Sequence, residues 1–238
     1  MERCISRILL KTILKTMTGL LGTAGLLLFI QPVTVAQSLH FASVSAPAEI
    51  DPGQRLAESS AALSEACAPY AGLMALVPQP RGTVWSQTAA EKPTFFFQVP
   101  ADLNNSIPLT FMVQDENENE VFVRRFRLRT AAGVLAIPVR GDGLSVGENY
   151  RWTFAIGCDD AQADIAVSGT VRRVEGPDVE TGNAPDVRMA AAEAYAAAGV
   201  WHEALEIAIA MAQAEPNNEI YQQNLASLLS QVGLADAL

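Results

Sequence analysis

The stretch Tyr150–Cys158, YRWTFAIGC, decides how the chain is read. Tyr150, Trp152, Phe154, Ile156 and Cys158 fall on every second residue, whereas Arg151, Thr153 and Ala155 fall between them. Only an extended strand turns that spacing into one apolar and one mixed face. The stretch therefore predicts a half-buried strand that carries a tyrosine, a tryptophan, a phenylalanine and a sulfur into one core.

Strand signals continue on both sides of it. Leu73–Val77 stops at Pro78, and Thr83–Ser86 follows Gly82. In Thr94–Val99, TFFFQV, three consecutive phenylalanines suit a strand covered on both faces. Leu109–Gln114 runs into the acidic turn Asp115–Asn119, and Glu120–Arg129 returns from it as the second arm of a hairpin. Arg124 is read as a bulge in that arm, because the apolar residues change face around it. Val134–Val139 contains Pro138 and is expected at a sheet edge. Tyr150–Cys158 and Asp164–Val174 form a further hairpin. Short strands with a turn every 8 to 12 residues predict a mainly β fold, an antiparallel immunoglobulin-like β-sandwich over residues 67–175.

The flanks are of other kinds. Residues 1–36 have a basic start, an apolar run from Leu20 to Ile30, and the small residues of VTVA before Gln37, which is the layout of a cleavable signal peptide. An uncleaved membrane anchor is the alternative. Residues 37–66 are rich in Ala, Ser and Pro and read as a loose lead-in, with a short helix over 57–67 as an option. Residues 176–184 read as a polar linker. From Pro185 to the C-terminus the period becomes helical, with helices expected over 187–198, 203–214 and 218–232. The helical tail, residues 185–238, resembles a tetratricopeptide repeat: Ala192, Tyr195, Ala204, Ala208, Met211 and Pro216 occupy the motif's positions, and Gly199 and Trp201 its turn. One full repeat cannot bury its own face, so the tail is expected to dock on the sandwich or on a partner.

Charge and cysteine content narrow the function. The 238-residue chain carries a formal charge of −10, and removal of the leader would leave 12 basic and 25 acidic residues, a net of −13. Such a chain is not drawn to nucleic acid or to anionic membranes by bulk attraction. Only Cys67 and Cys158 lie outside the leader, and an even pair in an exported chain most often forms one disulfide. Two buried free thiols are the alternative.

With those residues in view, the chain from about residue 65 to 235 resembles the cyanobacterial family called domain of unknown function 928. The resemblance rests on Cys67 with LMALVP, on KPTFFFQVP (Lys92–Pro100), FMVQDENEN (Phe111–Asn119), YRWTFAIGCDD (Tyr150–Asp160) and YAAAGVWHEAL (Tyr195–Leu205). It implies an exported β domain with a helical tail, and no activity.

Candidate chemistry is sparse. The histidines are His40 and His202, neither in a nucleophile motif, and His202 is expected on the surface at a helix start. Asp115, Asn117 and Asn119 imitate the start of a calcium loop, but Glu120 and Phe126 stand where that loop needs Gly and Glu. No cofactor and no metal site is expected. The carboxylates Glu118, Glu120, Asp159, Asp160 and Asp164 all fall at predicted turns. Arg125, Arg127 and Arg129 alternate into a stripe suited to anionic glycans, or simply to solvent. Phe95, Phe96, Phe97, Trp85 and Trp152 are read as core before ligand platform. The expectation is a non-enzymatic binding or scaffolding module of the cell envelope with a protein partner. A carbohydrate-binding module is the alternative, and a hydrolase the remote one.

Overall fold

The computed structural model describes residues 38–57, 65–158 and 165–237. The leader, most of the optional helix at 57–67, and Asp159, Asp160 and Asp164 lie outside the described residues. Eight strands follow in chain order: β1 Met74–Ala75, β2 Trp85–Thr88, β3 Thr94–Val99, β4 Leu109–Gln114, β5 Glu120–Phe126, β6 Gly133–Pro138, β7 Asn149–Ile156 and β8 Ile165–Arg173. Three helices end the chain: α1 Pro185–Ala197, α2 Trp201–Ala214 and α3 Glu219–Ser230.

The strands make a small sheet, β1-β3-β6, and a five-stranded sheet, β2-β8-β7-β4-β5. β7 lies inside the larger sheet, hydrogen-bonded to β4 on one side and β8 on the other. Its alternating residues Tyr150, Trp152, Phe154 and Ile156 are all buried. Phe95 and Phe97 of the small sheet meet them: Phe97 lies 4.4 Å from Phe154, and Phe95 lies 5.6 Å from Trp152 between ring centroids. Gly169 stands opposite Trp152 on β8. A Cβ there would sit 2.7 Å from the Trp152 ring and 2.6 Å from Val84, so only glycine leaves room for the indole. The disulfide Cys67–Cys158, with Cα atoms 5.1 Å apart, ties the end of β7 to the segment that enters the sheets.

Three expectations change. β2 pairs with β8 in parallel, so the larger sheet is mixed. β2 is a short edge strand reached by a crossing from the small sheet, and such a crossing, unlike a tight hairpin, leaves strand direction free. The bulge lies at Val121 and not at Arg124: Glu120 faces Gln114 and Phe122 faces Val113, leaving Val121 without an opposite residue. The described part of the lead-in, residues 38–57, is extended but held by backbone pairing. Gln54 exchanges two backbone hydrogen bonds with Ser168, Ala75 N–H donates to the Arg55 carbonyl, and Ala57 N–H donates to Leu73. It thus runs from the edge of the large sheet onto the small one.

Phe96 explains the place of the helices. In β3 its neighbours Phe95 and Phe97 face the inter-sheet core, so Phe96 faces the other way. There it joins Leu76, Leu39, Phe41 and the buried faces of α1, α2 and α3 in a second apolar cluster. The molecule is layered as helices, small sheet and large sheet. Ala36–Leu238 form one compact unit. Among the described residues no helix is long and apolar enough to cross a membrane.

Candidate functional site

Two places concentrate polar chemistry: the seam between α2 and the sheets, and a cleft on the outer face of the large sheet.

The seam is built by the first three residues of α2. The chain leaves α1 through Gly199, whose φ of +74° turns it sharply beneath the lead-in; a Cβ there would stand 2.4 Å from Val44 and 2.8 Å from the Ala42 carbonyl. Trp201, His202 and Glu203 then each take a different partner. The Trp201 indole N–H donates to the Leu76 carbonyl at 2.8 Å. His202 Nδ1 donates to the Thr94 carbonyl at 3.1 Å. In the neutral ring that leaves Nε2 to accept the Ser86 hydroxyl at 2.9 Å. Glu203 Oε1 accepts from the Thr88 hydroxyl at 2.6 Å and from Ala90 N–H at 2.8 Å. Burial lowers the His202 pKa, against the opposing pull of the Glu203 carboxylate and of the Thr94 carbonyl.

His202 is therefore not the surface residue its helix-start position predicts. A serine hydroxyl on an imidazole whose other nitrogen is held is the geometry of an activated nucleophile. Access decides against that use: Ser86 and His202 are 3% and 2% exposed, and neither borders the surface clefts. What the arrangement does is pair the buried polar atoms of Ser86, Thr88 and His202, although Glu203 Oε2 is buried without a hydrogen bond, while fixing the angle at which α2 meets β2 and β3. The sequence carries a faint signal for it. Ser86 and Thr88 alternate on a strand whose inward positions would otherwise be apolar, and Trp-His-Glu opens a helix of Ala and Ile.

The cleft, of about 340 Å³, lies where the lead-in crosses the large sheet. Its floor is Gln114, Arg151 and Thr170, successive outward residues of β4, β7 and β8, and its rim includes Glu49, Asp51, Glu116 and Asn149. Arg151 lies 3.5 Å from Asp51, and the Asn149 amide donates to Glu116 at 2.8 Å. A smaller depression of about 160 Å³ continues it over Thr153, Ser168 and Gly169.

The calcium-like turn is occupied by its own hydrogen bonds. Asp115 accepts from the Asn117 and Asn119 backbone N–H groups and from the Asn119 amide, and these hold its carboxyl below the usual value. Among the described residues no three His, Cys, Asp or Glu side chains are grouped to hold a metal ion. Arg125, Arg127 and Arg129 are exposed, but β5 ends at Phe126, so only Arg125 lies on the strand itself. Trp85, Trp152, Phe95, Phe96 and Phe97 are all buried, which leaves no aromatic platform among them. The structure puts Arg125 and the cleft on the same sheet, leaves Arg127 and Arg129 beyond the end of β5, and places His202 in the seam.

No curated protein matches the chain. The model of the family described as Domain of Unknown Function (DUF928) matches residues 57–238, which take in both sheets, the disulfide and the three helices, and the chain belongs to that family.

Proposed function

We propose that the protein is an exported, non-enzymatic binding module of the cell envelope that recognises a protein partner through the cleft on the outer face of its large sheet. The single observation that carries this reading is the division of labour between surfaces. The apolar face of the helices is spent on Phe96, Leu76 and the lead-in. The outer face of the large sheet keeps a polar cleft open to solvent. In this reading the body is immunoglobulin-like and the tail is a tetratricopeptide-like unit that serves as scaffold. The disulfide is consistent with an oxidising, exported location. The carboxylates of the rim, Glu49, Asp51 and Glu116, suit a basic segment of the partner.

The test is capture from an envelope extract by the unmodified chain and by Glu49→Lys/Glu116→Lys, both on the cleft rim. The reading predicts a specific protein retained by the first and lost by the second, with unchanged melting. Equal capture by both would refute the cleft as the site. A carbohydrate-binding role is the second reading, favoured by the exposed Arg125, Arg127 and Arg129. Binding of sulfated glycans, abolished by Arg125→Ala/Arg127→Ala, would move the assignment there. Ester or glycoside hydrolysis lost in Ser86→Ala would overturn both.

A further inference from the structure

We propose that the outer edge of β5 is a self-association site, at which β5 of one copy pairs antiparallel with β5 of a second copy about a two-fold axis at Val123. The edge adjoins the cleft, with which it shares the turn that carries Glu116 and Glu118; self-association is read by sedimentation alone and does not depend on a partner in the cleft.

The two edges of the large sheet are finished differently. At the β2 edge, Gln54 pairs with Ser168, Val84 N–H donates to Pro52, and α2 lies over Ser86 and Thr88. β5 pairs with β4 alone among the described residues. Its other edge offers a row of backbone groups, and Val121, Phe122, Val123 and Phe126 are only half-buried.

The charge pattern names the occupant. Glu116, Glu118 and Glu120 precede the apolar centre Val121–Val123, and Arg124, Arg125, Arg127 and Arg129 follow it. Glu120 opens β5, with Glu116 and Glu118 in the turn before it, and Arg124 and Arg125 lie on β5, with Arg127 and Arg129 beyond its end; an antiparallel copy lays the arginine end of each strand along the glutamate end of the other. A parallel copy would set like charges side by side. The bulge makes the register work. Without it Glu120 and Arg125, five residues apart, would point to opposite faces. With Val121 set aside, Glu120 stands opposite Gln114 and Arg125 opposite Thr110, both on the outer face.

With the axis at Val123, that residue opposes its own copy. Arg125 of the second copy opposes the bulged pair Glu120–Val121. Arg124 of the second copy opposes Phe122 on the inner face, a ring contact of the kind Arg124 already makes at 4.4 Å with Phe126. Arginines and a bulge on a free edge repel strands that lack carboxylates at these positions, so the same features that guard the edge make it selective. One strand pair is a small interface, so the dimer is reversible and sensitive to salt.

Sedimentation equilibrium of the full, disulfide-bonded chain tests this across concentration and ionic strength. The proposal predicts a monomer–dimer equilibrium that dissociates as salt is added. Arg125→Glu/Arg127→Glu should weaken dimerisation at least about tenfold, and so should Glu118→Arg/Glu120→Arg. Combining all four substitutions restores the complementarity and should restore the dimer. An unmodified chain that stays monomeric at every concentration overturns the proposal. So does a fourfold variant that dimerises no better than either double variant.

Discussion

The two faces of the small sheet are packed by opposite means. Its inner face is aromatic: Phe95 and Phe97 meet Trp152, Phe111 and Phe154, and the seam touches it where the His202 ring lies 4.6 Å from that of Phe95. Beside its outer-face cluster with the helices runs the polar seam of Ser86, Thr88, His202 and Glu203. An apolar core rewards burial in almost any orientation, so shape alone fixes it. The seam rewards one orientation, because a buried donor or acceptor that loses its partner costs more than the bond contributed. The first interface therefore supplies most of the stability, and the second fixes where the helices sit.

The inner face should give the largest effect. Trp152→Ala is expected to cost about 3–5 kcal/mol in chemical denaturation, since the indole is fully buried. Gly169→Val, which drives a side chain into the same indole and Val84, should prevent folding or cost a comparable amount. Loss of the disulfide through Cys158→Ser comes next, at about 2–4 kcal/mol, because it frees a span of 91 residues in the unfolded chain.

On the outer side Glu203→Ala removes the acceptor of the Thr88 hydroxyl and of Ala90 N–H. The expected cost is about 1–3 kcal/mol, with hydrogen exchange rising first in α2 and β2. The seam should also respond to acid where the inner face does not. Burial holds His202 below its ordinary value of 6.5. The stabilisation from keeping it neutral is complete above that value, and is lost as pH falls through it toward the folded pKa. Glu206, at the rim of the seam and raised above 4.5 by desolvation, acts in the opposite sense lower in the range. A fall in Tm of several degrees between pH 7 and pH 5, flattened in His202→Gln, is the expected result. Arg125→Ala, exposed on β5, should change monomer stability by less than about 0.5 kcal/mol.

The inner face could be read from the chain because its signals are local. Alternation in Tyr150–Ile156, three consecutive phenylalanines and a pair of cysteines each constrain a few neighbouring residues. Phe96 even showed that a second layer was needed, since a strand apolar on both sides must be covered twice. The seam could not be read that way. Ser86 and His202 are 116 residues apart, and each taken alone resembles an ordinary surface residue. The lead-in misled for a related reason. Its Ala, Ser and Pro carry no strand period, yet the Gln231 side chain, 192 residues away, grips its backbone at Leu39 and Phe41. Arg55 likewise reaches the carbonyls that close α3, at Val232 and Gly233. Of the cleft, only individual residues such as Arg151 and Asp115 were visible beforehand. Their convergence depends on strand order in the large sheet and on the path of the lead-in.

The central claim is that sheets and helices form one cooperative body, joined by the seam. Differential scanning calorimetry of the intact chain at pH 7 tests it most directly. The account predicts a single transition whose calorimetric and van't Hoff enthalpies agree, and which Glu203→Ala shifts downward as a whole. Two separate transitions, with the helices melting before the sheets and Glu203→Ala moving neither, would contradict it.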